Sequence, residues 1–192
     1  GSTQERRADV RVVAATNKKL EEAVAADSTF AMAWRKLSVV SRRANRPFSE
    51  SLFASQKAYD LRDRLSPLER QLAIANYYST NEFDPDAVIA AYKAALEVDS
   101  TERTALNNLA LSYIQLGRWE DAEALARRGT IVDKSWFPYG HLATALAAQG
   151  RYAEADSALR ELDRIVPGQP RGMEMQAQVR SAQGDYAGAD SI

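Results

Sequence analysis

Three segments in the second half of the chain repeat one another at a nearly constant interval, which the glycines Gly117, Gly150 and Gly184 mark. Each glycine is followed two residues later by an aromatic residue and five residues later by an alanine. A period of about 34 residues, with small side chains at fixed positions, is typical of helical hairpins that pack against their own copies. The pattern therefore predicts an all-α repeat protein.

The residue order within these segments resembles the tetratricopeptide repeat. Residues 103–135 carry the pattern at Leu109, Ala110, Tyr113, Gly117, Trp119, Ala122, Ala126 and Gly129. Residues 136–169 carry it at Leu142, Ala143, Leu146, Gly150, Tyr152, Ala155, Leu159, Leu162 and Pro167. The resemblance implies a right-handed superhelical α-solenoid of antiparallel helix pairs, forming a single array over residues 3–192. The implied parts are a half repeat with only a second helix (3–28), repeat 1 (29–66), repeat 2 (67–102), repeat 3 (103–135), repeat 4 (136–169) and a truncated repeat 5 (170–192).

Repeats 1 and 2 match this pattern less closely, and helix-start signals define them instead. The segment Ser66-Pro67-Leu68-Glu69 predicts a capping box with proline at the first helical position. Asp84-Pro85 predicts the next helix start. The connecting residues 79–85 fit the consensus only after a shift of residues, so the sequence leaves the register of repeat 2 open.

The N-terminal stretch VRVVAATNKKLEEAV, residues 10–24, has two competing interpretations. It is similar to a strand in AAA+ enhancer-binding ATPases that ends in a nucleotide-sensing Thr-Asn pair, here Thr16 and Asn17. That site requires a G-x-x-x-x-G-K-[ST] loop, which this sequence does not contain. Its apolar residues recur at helical spacing, so we expect the second helix of a half repeat. A strand over residues 10–16 would contradict this interpretation.

The chain ends bear on the same interpretation. Gly1 and Ser2 are typical of an expression scar. Together with a half repeat at one end and a truncated repeat at the other, they indicate a fragment with both array ends exposed. Such ends could pair with another copy of the chain.

Composition argues against several classes of function. The formal net charge of −1 provides no basic excess for nucleic acid, and the apolar runs are too short for membrane insertion. The chain has no cysteine and one histidine, His141, which gives little support for a metal site or a catalytic triad. We therefore expect no enzyme activity and no cofactor.

The resemblance implies a concave groove, lined by the first helix of each repeat, that binds a peptide or helix of a partner protein. The implied groove residues are Arg35, Val39, Arg42, Asn76, Tyr77, Asn107, Asn108, Leu111, Gln115, His141 and Thr144. Asn108 matches the central asparagine of the clamp that binds acidic chaperone tails, but Phe137 and His141 stand where that clamp needs basic residues. The alternative function is self-association through the exposed array ends.

The segments LRDRLSPLERQLAIANYY and DAVIAAYKAALEVD resemble repeat arrays attached to bacterial eukaryotic-like serine/threonine kinases, adenylate cyclases and transcriptional regulators. This resemblance implies a scaffold from a larger bacterial signalling or regulatory protein. The expected location is cytoplasmic, or extracytoplasmic if the parent protein has an upstream membrane span.

Overall fold

The computed structural model describes residues 18–44, 46–168, 170–182 and 184. These residues form helices, turns and short connections, and none of them is in a strand. The predicted all-α helical-repeat solenoid class is confirmed. Residues 18–26 are helical, whereas the prediction for residues 10–16 lies outside the described residues. No helix in the described part of the chain combines the length and apolar character needed to span a bilayer.

The α-helices of the described residues are numbered in chain order. They are α1 (residues 18–26), α2 (Ala31–Arg43), α3 (Phe48–Asp60), α4 (Pro67–Tyr77), α5 (Pro85–Val98), α6 (Arg103–Gln115), α7 (Trp119–Val132), α8 (Phe137–Ala148), α9 (Tyr152–Ile165) and α10 (Pro170–Ala182). A 3₁₀ turn at Arg62–Arg64 follows α3, and a π-helical turn at Tyr78–Glu82 follows α4. The chain divides into two compact units, unit 1 within residues 1–98 and unit 2 within residues 99–192, which are described separately.

In unit 1, α2 packs against α3, α3 against α4, and α4 against α5. Alanines such as Ala54, Ala58 and Ala73 are fully buried where helices meet, which allows close approach of the backbones. The core also contains hydroxyls: Ser38 and Ser51 donate hydrogen bonds to each other's backbone carbonyl at 3.0 and 2.9 Å. Unit 1 is therefore held by both apolar packing and a buried polar seam.

The predicted capping box at Ser66 forms only in part. The Ser66 Oγ accepts a hydrogen bond from the Glu69 backbone N–H at 3.3 Å, so the helix start is confirmed. The Glu69 carboxylate, however, is bound by the Arg35 guanidinium, with both Nε and Nη2 at 2.7 Å from Oε2. The carboxylate thus links α4 to α2. At Asp84, the side chain accepts from two backbone N–H groups at the start of α5, as predicted.

A left-handed residue explains the uncertain register of repeat 2. Gly117 and Gly150 have φ of 69° and 73° and lie two residues before α7 and α9. Phe83, two residues before α5, has φ 55° and ψ 44°. The π-helical turn and the left-handed Phe83 accommodate the wider spacing between the helix starts of repeat 2.

In unit 2, each helix from α6 to α10 packs against the next one along the chain. In addition, α8 contacts both α6 and α10. The core includes Leu146, Leu159 and Leu162, each 1–2% exposed. Because α6, α8 and α10 are the first helices of their repeats, their contacts give unit 2 one continuous face built from first helices.

A charged network, which we call the Glu123 network, ties α7 to the turn between α8 and α9. The Glu123 carboxylate accepts hydrogen bonds from Gln149 and Arg151 at 3.0 and 2.6 Å and from Arg127 at 2.8 Å. Burial raises the pKa of Glu123, and these hydrogen bonds more than offset that effect, so the pKa lies below its ordinary value.

Candidate functional site: a groove in unit 2

A cavity of about 370 Å³ lies on the face of unit 2 that is formed by the first helices. We call it the α6–α8–α10 groove. It is lined by Leu111, Ile114, Trp136, Phe137, Gly140, His141, Thr144, Glu174, Met175 and Gln178. This volume falls within the range of typical ligand-binding clefts, about 300–1,000 Å³.

A hydrogen-bonded chain of side chains fixes the polar part of the groove. His141 Nε2 lies 3.1 Å from Asn107 Oδ1, and Asn107 Nδ2 donates to Asn108 Oδ1 at 2.9 Å. With its amide nitrogen directed at Asn108, Asn107 presents its oxygen to the imidazole, so the network assigns the hydrogen to His141 Nε2. The contact therefore sets the orientation of His141 at the edge of the groove.

The floor of the groove depends on the absence of a side chain at Gly140. A Cβ added to Gly140 would lie 3.1 Å from Met175 Cε and 3.3 Å from Met175 Sδ. The bare backbone of α8 thus allows the Met175 thioether of α10 to pack closely against it. Thr144, one turn further along α8, donates a hydrogen bond to the Gly140 carbonyl at 3.0 Å.

Aromatic rings form the wall at the start of α8. The Trp136 and Phe137 rings stack with centroids 4.1 Å apart and planes inclined by 25°. Phe137 and Leu111 are each 38% exposed, so apolar surface is available inside the groove. Glu174 is the one acidic residue that lines it, and no lysine or arginine does so among the described residues.

The structure brings together several residues predicted from the sequence. Leu111, His141 and Thr144 line the groove, and Asn107 contacts His141 beside it. Asn108 is half-buried next to Asn107. Gln115 is exposed at the end of α6 and does not line the cavity.

In unit 1, the predicted residues Arg35, Val39 and Arg42 lie on α2. Arg35 is only 13% exposed in its side chain and is engaged by Glu69, whereas Val39 is half-buried and Arg42 is exposed. Tyr77 lies at the end of α4, where its ring stacks on Tyr59 with centroids 4.1 Å apart.

Tyr77 also donates a hydrogen bond to Glu82 Oε1 at 2.6 Å. This bond, with smaller effects of burial and nearby charge, raises the pKa of the Tyr77 phenol to about 12. The hydroxyl therefore stays protonated at neutral pH and joins α4 to the π-helical turn.

Asn76 lies in the interior rather than in a groove. It is 7% exposed, and its Nδ2 donates to Ser38 Oγ at 3.1 Å and to Ser55 Oγ at 2.9 Å. Both donor hydrogens are used within the core, so this amide joins α4 to α2 and α3. The sequence-based assignment of Asn76 to a binding surface is not supported by this position.

Several residues that line the groove were not predicted from the sequence. They are Ile114, Trp136, Phe137, Gly140, Glu174, Met175 and Gln178. The repeat period contained a signal for one of them, because Asn107, His141 and Met175 follow one another at equal intervals of one repeat. Projecting the groove positions forward by one more period would have reached α10.

The part of the chain that the structure describes holds no group of three or more histidine, cysteine, aspartate or glutamate residues placed to bind a metal ion.

Comparisons with known proteins identify the repeats. Two family models described as tetratricopeptide repeat match residues 103–129 and 137–161, which cover most of the α6–α7 and α8–α9 pairs. A comparison with curated proteins finds no match.

Solved structures share the fold. PilW, described as a widely conserved type IV pilus biogenesis factor, is 18% identical with a TM-score of 0.72, over 97% of this chain and 84% of that one. A tetratricopeptide repeat protein from Parabacteroides merdae is 19% identical with a TM-score of 0.65, over 96% and 72%. YrrB, described as a TPR protein with an unusual peptide-binding site, is 15% identical with a TM-score of 0.58, over 88% and 86%.

At these identities the structural likeness shows the fold alone, and the family models supply the repeat identity. Repeats of this type generally serve as non-catalytic scaffolds for protein–protein interaction. Residues 103–129 and 137–161 of this chain are tetratricopeptide repeats.

Proposed function

We propose that this chain is a non-catalytic scaffold whose α6–α8–α10 groove binds an extended or helical segment of a partner protein. The observation that carries the proposal is the cavity of about 370 Å³ with an apolar wall and hydrogen-bonding groups at its edge. A groove that is formed before binding loses little conformational entropy on its own side when a peptide enters.

The lining residues suit a particular kind of segment. Leu111, Phe137 and Met175 offer apolar surface for an anchor side chain. Thr144 and Gln178 provide polar groups for the peptide backbone. With Glu174 as the charged lining residue, the groove favours a neutral or basic segment over an acidic tail, in contrast to the clamp considered from the sequence. The peptide-binding site named for YrrB supports peptide capture as a use of this fold.

Selection from a random peptide library, followed by affinity measurements on two matched variants, tests the proposal. Leu111 and Leu116 are both exposed leucines of the same repeat, at 38% and 49%, but only Leu111 lines the groove. We expect Leu111→Lys to weaken the affinity for the selected peptides by roughly tenfold or more, because a charged side chain then replaces an apolar contact. Leu116→Lys should leave affinity unchanged. Peptides that bind both variants and the unmodified chain equally would refute the groove assignment.

Self-association through the array ends remains the alternative prediction. Light scattering over a concentration series measures it directly, because a mass that stays monomeric throughout would eliminate it. The proposal that the scaffold belongs to a larger bacterial signalling or regulatory protein rests on the sequence resemblance described above.

A further inference from the structure

Three repeats share a backbone hydrogen bond that defines an equivalent position in each. An arginine N–H donates to the carbonyl of the residue five positions earlier: Arg46 to Ser41 at 3.2 Å, Arg118 to Tyr113 at 2.8 Å, and Arg151 to Leu146 at 2.9 Å. Ser41, Tyr113 and Leu146 are therefore equivalent residues near the end of the first helix of repeats 1, 3 and 4.

The side chains at this position differ greatly in size. Leu146 is 1% exposed and belongs to the core of unit 2. Tyr113 is 4% exposed, and the Arg118 guanidinium lies over its ring at 4.2 Å from the centroid. Ser41 fills far less space than either. The replacement of a large side chain by serine thus reduces packing in unit 1.

A groove of about 340 Å³ lies beside Ser41, between α1, α2 and α3. We call it the Ser41 groove. It is lined mainly by apolar residues: Val24, Trp34, Leu37, Phe53 and Ala54. The Trp34 and Phe53 rings meet edge to face, with centroids 5.6 Å apart and planes inclined by 83°. The Trp34 indole N–H donates to the Ser28 carbonyl at 2.9 Å, which fixes that ring.

The Ser41 hydroxyl is the unusual group in this lining. Ser41 is 1% exposed, and its Oγ has no hydrogen-bond partner among the described residues. Buried hydroxyls in folded proteins are nearly always paired. An orphan hydroxyl in the wall of an apolar groove indicates a ligand that combines an apolar body with a hydrogen-bonding group.

The rim of the Ser41 groove is acidic. Glu21 and Glu50 line it, and Arg46 binds both carboxylates, with Nε at 2.6 Å from Glu50 Oε2. Two carboxylates and one guanidinium leave a net charge of −1, and all three side chains are more than a third exposed. The rim therefore favours a positively charged neighbour.

We propose that the Ser41 groove binds a tyrosine side chain of a partner polypeptide in which lysine or arginine flanks the tyrosine. The ring packs against Trp34 and Phe53, and the phenol hydroxyl bonds to Ser41. The flanking cation lies near Glu21 and Glu50. The model for this arrangement is within the chain itself, where Tyr113 occupies the equivalent position beneath Arg118. The site is in unit 1 and does not depend on the groove proposed for unit 2.

Titration with 4-methylphenol, which reproduces the tyrosine side chain, tests the pocket. Chemical-shift changes of the Trp34 indole N–H in two-dimensional NMR report binding, and toluene is the probe without a hydroxyl. We expect toluene to bind the natural chain at least roughly threefold more weakly, because it leaves Ser41 unpaired. Ser41→Ala should abolish this preference while keeping the groove open. The proposal would be overturned if 4-methylphenol caused no shift of the Trp34 indole N–H. It would also be overturned if Ser41→Ala kept the natural chain's preference for 4-methylphenol over toluene.

Filling the groove supplies a second, independent test. Ser41→Leu should weaken 4-methylphenol binding by roughly tenfold or more and raise the melting temperature, because the leucine takes the ring's place. Ser41→Val is measured beside it, so that the test remains valid if leucine is too large to fold. A folded filling variant that binds the phenol as well as the natural chain refutes the site.

The charge of the partner is tested with two short peptides, acetyl-Lys-Tyr-Lys-amide and acetyl-Glu-Tyr-Glu-amide. The lysine peptide should bind at least roughly threefold more tightly at low salt, and about 0.5 M salt should remove most of the difference. Equal binding at low salt, or tighter binding of the glutamate peptide, overturns the assigned partner chemistry.

Discussion

The crossing of α7 and α8 depends on the absence of a side chain at Gly129. This glycine is buried inside α7, where a Cβ would lie 2.9 Å from Pro138 Cβ and 3.8 Å from Pro138 Cγ. Cβ atoms in real structures essentially never approach closer than 3.0 Å, so some part of the crossing must move. Pro138 is itself buried in the first turn of α8, and its ring cannot rotate away.

The free-energy change for Gly129→Ala follows from two opposing effects. Alanine stabilises a helix interior by about 1 kcal/mol relative to glycine. Overpacking of a close helix contact destabilises by about 1–3 kcal/mol, and a rigid ring carbon places this site at the upper end. We therefore expect a net loss of about 1–2 kcal/mol, equivalent to a melting temperature lower by about 2–8 °C for a chain of this size.

Gly140→Ala is the matched control, because it adds the same methyl group to the next helix. Its Cβ would meet the flexible end of Met175, which can move by a few tenths of an ångström. We expect its stability to stay within about 0.5 kcal/mol of the natural chain. Thermal and urea unfolding, followed by far-ultraviolet circular dichroism, compare the two variants. A Gly129→Ala variant as stable as Gly140→Ala would refute the reasoning.

Three further substitutions test other parts of the fold. Phe83→Gly should raise the stability of the chain by about 1 kcal/mol, because a left-handed backbone penalises every residue with a Cβ; a lower melting temperature would show that the Phe83 ring makes a compensating contact. Asn76→Ala should destabilise by about 1–3 kcal/mol, since Ser38 and Ser55 lose the amide that joins them; urea unfolding measures this, and an unchanged midpoint would contradict the buried network. Glu123→Gln should destabilise by about 1 kcal/mol at neutral pH, because the ionised carboxylate is the form that the Glu123 network stabilises. Its depressed pKa means that this stabilisation is present above the unfolded-state pKa and is lost as the pH falls through the lower folded-state pKa. The stability difference between Glu123→Gln and the natural chain should therefore shrink as the pH falls below the ordinary glutamate pKa of about 4.3, and a difference that stays constant on acidification would contradict the assignment.

The sequence predicted the fold because its signals are local. The glycine, aromatic and alanine spacing positioned the turns before α7 and α9, and the two caps at Ser66 and Asp84 marked helix starts. The sequence of repeat 2 could not be aligned with the repeat consensus without a shift, because Phe83 adopts the left-handed conformation that glycine adopts in repeats 3 and 4. No local rule predicts that conformation for phenylalanine, since it requires support from the rest of the fold.

The candidate groove was only partly predictable, because a cavity depends on how side chains from different helices meet. Repeat offsets located Leu111 and His141, which the structure places at the groove. The closeness of Met175 depends on the bare backbone of Gly140, a relation between two helices that periodicity does not encode. Asn76 was assigned to the groove because the family resemblance places groove contacts on the first helix of each repeat. Its burial depends on serines contributed by α2 and α3, which no spacing within α4 reveals.

Serines at the helix contacts of repeat 1 distinguish it from repeat 4. Ser38, Ser41, Ser51 and Ser55 are each at most 1% exposed, at positions that hold alanine or leucine in repeat 4. Ser38 and Ser51 pair with each other, and Ser55 accepts from Asn76, so their hydroxyls are satisfied within the core. Packing alone would favour an apolar residue in place of Ser41. A buried leucine contributes about 1.5–3 kcal/mol of stability, whereas an unpaired buried hydroxyl is destabilising. Ser41 therefore contributes neither apolar packing nor a hydrogen bond to the core of unit 1. An interaction outside the core most simply explains a buried residue that does neither.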